Sequence, residues 1–119
     1  MAYKIPHSLH RVMHKESPAY APLVRFADNL SRVLGMHRLS HAQASVLLGV
    51  SANSFSSWMT GRREPNRDAL LNVARWFELP VETLYRGSAV EVVTLSAEPE
   101  RFARIEAKIG REPPPVESA

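Results

Sequence analysis

The stretch LSHAQASVLLGVSANSFSSWMTGRREP, residues 39–65, contains two short helical patterns separated by a glycine. Ser40, followed by Gln43 three residues later, has the spacing of a capping box, which begins a helix. Gly49 stands where a helix commonly ends in the left-handed conformation, and Ser51 can cap a second helix directly afterwards. The sequence therefore predicts two helices joined by a very short turn.

The second helix of this pair has two chemically different sides. Phe55 and Trp58 are three residues apart, so they share one side and are predicted to anchor the helix in the core. Gly61 is predicted to end the helix, and a basic loop with Arg62 and Arg63 follows. The opposite side carries only small side chains, which let the backbone approach another surface closely: Ala52, Asn53, Ser56 and Ser57.

Apolar periodicity predicts further helices on both sides of this pair. An apolar stripe runs through residues 22–36, and Asn66 can cap a helix over residues 66–77. Residues 79–86 have the pattern of a short helix that closes the core. We therefore expect residues 21–87 to form an all-α domain with five helices.

Residues 1–20 are predicted to be an amino-terminal extension with one short amphipathic helix. One face of that helix carries histidines at a spacing that could hold a metal ion: His7, His10 and His14. No cysteine and no pattern of supporting carboxylates accompanies them. Solvated or partner-facing histidines are the better interpretation, and we expect no metal site.

Residues 88–112 are predicted to be a carboxy-terminal extension made of a strand and a helix. The segment AVEVVTL, residues 89–95, is rich in β-branched residues, which favours a strand. One strand and one short helix cannot bury their apolar faces alone, so they either pack on the domain or pair with a second copy. Residues 113–119 are predicted to be a disordered tail. We expect dimerisation through the apolar stripe of the helix, which consists of Phe102, Ile105 and Ile109.

The distribution of charge is more informative than the net charge of +3. Between Asp28 and Glu64 the chain has no acidic residue. A surface without acids attracts polyanions, most often nucleic acid, although a serine- and alanine-rich segment can also lack acids by chance. The same window contains several basic residues: Arg32, His37, Arg38, His41, Arg62 and Arg63.

The composition excludes or disfavours several classes of protein. The chain of 119 residues has no cysteine, which excludes a disulfide framework and a thiolate metal site. No apolar run is long enough to cross a bilayer, and the amino terminus has no signal-peptide pattern, so we expect a cytoplasmic protein without membrane contact. No glycine-rich phosphate loop is present and no pattern places a base beside a nucleophile, so we expect neither enzymatic activity nor a cofactor.

Residues 39–85, LSHAQASVLLGVSANSFSSWMTGRREPNRDALLNVARWFELPVETLY, resemble the Cro/repressor-type helix-turn-helix domains of phage repressors and many bacterial regulators. The resemblance covers the leucine-serine start, the LLGVS turn, the tryptophan-x-x-glycine end and the terminal short helix. Members often have glutamine where this chain has His41. Many also have an arginine–glutamate pair where this chain has Leu34 and Met59, and a buried ion pair can be replaced by packed apolar residues.

The resemblance implies a nucleoid-associated transcription regulator, a repressor of the bacterial or phage type, that binds double-stranded DNA as a homodimer on a palindromic operator. The recognition helix would be residues 52–60, lying in the major groove. The implied base contacts are Ala52, Asn53, Ser56 and Ser57, although Asn53 could instead cap the helix. The implied phosphate contacts are Ser40, His41, Arg62, Arg63 and Arg67, although Ser40 is primarily a cap and the arginines could belong to a solvated turn.

A second hypothesis belongs to another functional class. The chain could be a protein-interaction module, such as an antitoxin or a co-regulator, in which DNA binding is secondary. The acid-free window favours DNA binding. The apolar stripe of the last helix favours a protein contact, either with a second copy or with a regulatory protein partner. The two hypotheses are compatible, and DNA binding is ranked first.

Overall fold

The computed structural model describes residues 21–111, with side chains from residue 25 onward. Within that range the chain is all-α and contains no strand. The predicted helix in residues 1–20, the histidine face at His7, His10 and His14, and the predicted tail at 113–119 lie outside the described residues. The helices are α1 Ala21–Met36, α2 His41–Leu48, α3 Ala52–Met59, α4 Arg67–Phe77, α5 Val81–Arg86, α6 Ala89–Ser96 and α7 Pro99–Ile109.

Helix α1 is central and packs against α3, α5 and α6. Asn29 lies on its buried side, where the side-chain Nδ2 is 3.0–3.3 Å from the carbonyl oxygens of Thr83, Leu84 and Gly87. These carbonyls belong to the last turn of α5 and to its C-cap Gly87, where a helix leaves carbonyl oxygens available to partners from elsewhere in the chain. The amide of Asn29 therefore fixes α5 against α1. The predicted apolar stripe of α1 surrounds it in the core: Phe26, Leu30, Val33 and Leu34.

The predicted helix ends are confirmed. Ser40 and Gln43 form the complete capping box of α2, and Gly49 ends that helix with a φ of 71°. Ser51 caps α3 by accepting a hydrogen bond from the amide of Ser54, and Asn66 caps α4 through the amide of Ala69. Local capping chemistry thus determines where the short helices begin.

The strand predicted for residues 89–95 is wrong, because this segment is helix α6. Ser88 and Glu91 form a complete capping box at its start. Val92 is fully buried in the same core as α1, whereas Val90 and Val93 are exposed. A single strand would have had no partner for its backbone groups within residues 21–111. Hydrogen bonding within a helix and burial of one helical face therefore outweigh the β propensity of the valines.

Helix α7 packs its apolar stripe on the domain. Ile105 is 1% exposed and belongs to the common core. Phe102 is half-buried, and its ring stacks on the buried His37 with the ring centroids 4.4 Å apart. His37 Nδ1 lies 2.5 Å from Oε2 of Glu106, which is also on α7. Of the three residues predicted for dimerisation, Ile105 is therefore inaccessible to a second copy.

The end of α7 and the outer side of α2 form an open apolar groove of about 390 Å³, which we call the α2–α7 groove. Val46 lies in this groove with 78% of its surface exposed. Ile109, the third residue of the α7 stripe, also lines it and is half-buried. The remaining lining residues are Leu39, Ala42, Gln43 and Leu47.

Candidate nucleic-acid interface

Helices α2 and α3 are held in a fixed relation by the turn at Gly49. The amide of Gly49 donates to the carbonyl of Val46 at 3.1 Å, and the amide of Val50 donates to the carbonyl of Ser45 at 2.9 Å. These two bonds satisfy carbonyls at the end of α2. The side chain of Asn72 on α4 donates to the carbonyl of Leu48 at 3.2 Å, which satisfies a third carbonyl at the end of α2.

Two aromatic side chains fix the inner side of α3, as the sequence predicts. Phe55 is 1% exposed and Trp58 is 6% exposed. The Trp58 ring packs in a T-shaped arrangement with Phe26 on α1, at a centroid distance of 6.3 Å. His41 at the start of α2 meets Phe55 edge-to-face at 5.5 Å. These contacts determine which side of α3 faces outward.

The outer side of α3 carries the residues predicted to read bases. Ala52, Asn53 and Ser56 are exposed, and Ser57 is half-buried. The cap of this helix is Ser51, so the capping role considered for Asn53 is filled by another residue. At the end of the helix, the carbonyl of Ser57 accepts from the backbone amides of Arg62 and Arg63 at 2.9 and 3.1 Å. The basic loop is therefore attached directly to α3.

The predicted phosphate contacts flank this surface on two sides. Arg62, Arg63 and Arg67 are exposed, and none of the ion pairs within residues 21–111 involves them. Ser40 and His41 are exposed at the start of α2. The Ser40 hydroxyl accepts from the amide of Gln43 at 3.0 Å, as expected of a cap. We refer to the outer side of α3, the start of α2 and the three arginines together as the α3 surface.

One contact beside the α3 surface was not predicted from the sequence. The Tyr85 hydroxyl on α5 donates to Oε2 of Glu64, which directly follows the two loop arginines. Glu64 is exposed, so Tyr85 determines where this carboxylate lies. The available signal was that Glu64 is the first acid after Asp28. Its partner could not be inferred, because Tyr85 lies 21 residues further along the chain.

The residues 21–111 contain no group of three histidine, cysteine, aspartate or glutamate side chains that could hold a metal ion. None of the helices in this range is long and apolar enough to cross a membrane. Leu34 and Met59, at the positions where the resemblance implies an ion pair, are packed in the core and against it respectively.

Comparison with known proteins gives one structural similarity. No protein-family model matches the chain, and no curated protein matches it. Among solved structures, it is similar to a transcriptional regulator from Listeria innocua, with 27% sequence identity and a TM-score of 0.48. The similarity covers 71% of this chain and 89% of that chain. It assigns this chain to no family.

Proposed function

We propose that this protein is a sequence-specific double-stranded DNA-binding transcriptional regulator, with α3 as the recognition helix of a Cro/repressor-type helix-turn-helix domain. This proposal rests on the α3 surface. It combines a helix that is anchored on one side by Phe55 and Trp58 with small exposed side chains on the other and exposed arginines beside it. A helix of this kind can enter a major groove about 12 Å wide and approach base edges closely.

The proposed base contacts follow from the chemistry of the exposed side chains. Ala52 can touch a thymine methyl group, and Asn53 can bond to the N6 and N7 edge of adenine. Ser56 and Ser57 can bond to bases or phosphates. No arginine lies on the outer side of α3, so the commonest contact to guanine is absent. We therefore propose that DNA shape and bridging water contribute much of the specificity.

The proposed phosphate contacts lie on both sides of the DNA major groove. The start of α2 presents Ser40, His41 and the free backbone amides of a helix N-terminus to one strand. The loop arginines Arg62 and Arg63, with Arg67 at the start of α4, face the backbone on the other side. Each neutralised phosphate should steepen the dependence of log affinity on log salt by about 0.9.

We propose binding as a homodimer to a palindromic operator in the manner of a repressor. Two recognition helices would then lie about 34 Å apart, which is one turn of DNA. Ile105 is in the core and Ile109 lines the α2–α7 groove. Phe102 and Ile109, both half-buried, are therefore the residues of the α7 stripe that remain for a second copy, and the exposed Val90 and Val93 on α6 add apolar surface.

Selection of binding sites from a random pool of duplexes tests the proposed function. The affinity for the selected site should then be measured against salt. A two-fold symmetric consensus and a steep negative slope are expected for a dimeric regulator. Enrichment of no sequence, with only weak salt-sensitive binding, would contradict it. That result would favour a protein-interaction module, such as an antitoxin or a co-regulator, for which Val90 and Val93 supply an exposed apolar contact.

Replacing both loop arginines should weaken binding to all DNA sequences alike. Arg62→Ala combined with Arg63→Ala removes two proposed phosphate contacts, so the log–log salt slope should become shallower by about 1.8. The matched control is Arg75→Ala combined with Arg104→Ala, since Arg75 is exposed on α4 and takes part in none of the ion pairs within residues 21–111, and Arg104 on α7 pairs with Glu78. Titration of labelled duplex at several salt concentrations measures both slopes. Equal slopes for the two double variants would refute the phosphate assignment.

Asn53→Ala should change the sequence preference rather than the general affinity. The exposed Asn53 side chain is proposed to read adenine, and a good bidentate contact discriminates by about 1–3 kcal/mol. Repeating the site selection with this variant should relax one position in each half-site, while the salt slope remains that of the unmodified protein. An unchanged consensus would remove Asn53 from the base contacts.

A further inference from the structure

The α2–α7 groove is an apolar surface that the proposed DNA contacts do not use. Val46 lines it from α2 with 78% of its surface exposed, and Ile109 lines it from the end of α7. The groove measures about 390 Å³, and apolar side chains form most of its lining. An exposed valine in such a groove belongs to a continuous apolar patch, and patches of this kind mark contacts with other proteins.

The surroundings of the groove carry positive charge. The chain has no acidic residue in positions 29–63, which include all of α2. Arg38 directly precedes the lining residue Leu39, is exposed, and takes part in none of the ion pairs in the described part of the chain. The acid nearest to Ile109 along α7 is Glu106, which already pairs with a histidine and an arginine. The groove therefore suits an occupant with an apolar face and acidic flanks.

Helix α6 has an apolar face and acidic flanks. Val90 and Val93 are three residues apart, so they share one side of the helix, and they are 74% and 41% exposed. The segment 88–100, which contains α6, has three acidic residues and no basic one. All three acids are exposed: Glu91, Glu98 and Glu100. Helix α6 is therefore complementary to the α2–α7 groove in both polarity and charge.

We propose that the Val90 and Val93 face of α6 packs into the α2–α7 groove of a second copy of this chain, and that the second copy does the same in return. This inference rests on the proposed function, of which the homodimer is a part. Helices α6 and α2 have eight residues each and are both about 12 Å long, so α6 can lie along the whole α2 wall of the groove. A two-fold axis makes the contact twice.

Charge favours this pairing of unlike surfaces over a pairing of like ones. Two grooves facing each other would bring positive charge against positive charge, and two α6 faces would bring acids against acids. Juxtaposed like charges are unfavourable at an interface, whereas the proposed contact sets acidic flanks beside basic surroundings. The surfaces used are also separate from the α3 surface, so the contact leaves the proposed DNA-binding residues accessible.

An exchange of charge between the two surfaces tests the proposal, with masses measured by sedimentation equilibrium of the full-length chain. Val46→Glu places a carboxylate in the groove, where the acids of α6 repel it. Val90→Lys places an ammonium group on α6, where the basic surroundings of the groove repel it. Each variant alone should keep the monomer mass of 13.3 kDa at concentrations where the unmodified protein reaches twice that mass.

An equimolar mixture of the two variants should regain the dimer mass. In the mixed dimer, the new carboxylate of one chain faces the new ammonium group of the other, and the second contact is unmodified. The matched controls are Ser31→Glu and Ser31→Lys, which change the net charge equally at an exposed position of α1 and should leave the dimer intact. Val46 and Val90 are both exposed, so the variants should fold, which circular dichroism checks.

Several results would overturn the proposed contact. A dimer that persists in either single variant would mean that like surfaces or other residues join the copies, and the homodimer itself would still stand. A mixture that stays monomeric would exclude the pairing of α6 with the groove, and assemblies larger than two copies would exclude the reciprocal arrangement. A monomeric unmodified protein would refute the homodimer as well. The experiment contains no DNA, so the site selection judges DNA binding separately.

Discussion

At the scale of single residues, a hydrogen bond from Tyr85 determines where the carboxylate of Glu64 lies beside two arginines. A carboxylate directly after Arg62 and Arg63 could pair with either arginine or repel a phosphate. The hydrogen bond from the Tyr85 hydroxyl holds it toward α5 instead. The same hydrogen bond, with burial and the negative charge of Glu64, raises the pKa of Tyr85 above its usual value. If the arginines contact phosphate, Tyr85 is a positioning residue for that contact.

Tyr85→Phe should weaken DNA binding roughly 5-fold, because a freed Glu64 would compete with phosphate for the loop arginines and one hydrogen bond is worth about 1 kcal/mol. Glu64→Gln in addition should restore the affinity, since the competing charge is gone. Duplex titration of the two single variants and the double variant forms a double-mutant cycle. A double variant as weak as Tyr85→Phe alone would assign Tyr85 a purely structural role.

The sequence predicted the members of the α3 surface because each depends on local order. Phe55 and Trp58 share one helical side by spacing alone, so the residues opposite them must face outward. The contacts of Glu64, Asn29 and His37 were not predictable in this way. Their partners are 21, 54 and 69 residues away along the chain. Pairings over such distances are decided by how whole helices pack, which periodicity does not reveal.

At the scale of helices, the sequence predicts α7 as a helix correctly and α6 as a strand incorrectly. The stripe of α7 was predicted as a helical face, and it is one. The segment of α6 was predicted as a strand because its valines dominate the composition. Its capping box, Ser88 with Glu91, was present in the sequence and pointed to a helix. For a segment of eight residues, a cap at the right spacing was the better indicator than β propensity.

The attachment of α7 should depend on pH through Glu106. Burial by itself would raise the pKa of Glu106, but the hydrogen bond from His37 and the charges of His37 and Arg111 lower it below 4.5. The unfolded chain therefore binds the proton more readily than the folded one. The stabilisation is complete above about pH 4.5 and is lost as the pH falls through the lower, folded-state pKa.

Glu106→Gln should destabilise the protein by roughly 1–3 kcal/mol near pH 7, because a charge-assisted hydrogen bond to a buried histidine is lost. The difference from the unmodified protein should shrink as the pH falls from about 4.5 through the lower, folded-state pKa of Glu106, because the carboxylate is then protonated first in the unfolded and finally in the folded state. Urea denaturation at a series of pH values measures both quantities. A difference that stays constant down to about pH 3 would show that the charge of Glu106 is irrelevant to α7.

At the scale of the whole molecule, the two carboxy-terminal helices belong to the same core as the first five. Val92 on α6 and Ile105 on α7 are at most 1% exposed and join the cluster built around α1. The sequence divides at residue 87 by composition, since acids outnumber bases from Ser88 onward. The buried core does not divide at residue 87, because α6 packs on α1 and helps to cover it.

Truncation after Gly87 should therefore destabilise the remaining five helices strongly. Burying a valine or an isoleucine contributes about 1.5–3 kcal/mol each, and removal of α7 also uncovers His37, which stacks on Phe102 and pairs with Glu106. We expect a loss of at least about 4 kcal/mol, close to the whole stability of a small domain. Thermal melting, monitored by circular dichroism, gives the melting temperature of this truncated chain. The matched control is truncation after Arg111, which keeps all described helices. Similar melting temperatures for the two truncated chains would show that residues 21–87 fold alone.

The division of α3 into an anchored and an unanchored side has an evolutionary consequence. Substitutions at Ala52, Asn53 and Ser56 touch no part of the core, so they should be nearly neutral for stability. After a gene duplication, one copy could accumulate changes at these positions without first acquiring compensating mutations elsewhere. Divergence of target preference between such copies would then be limited by selection on the target, and hardly at all by the need to keep the protein folded.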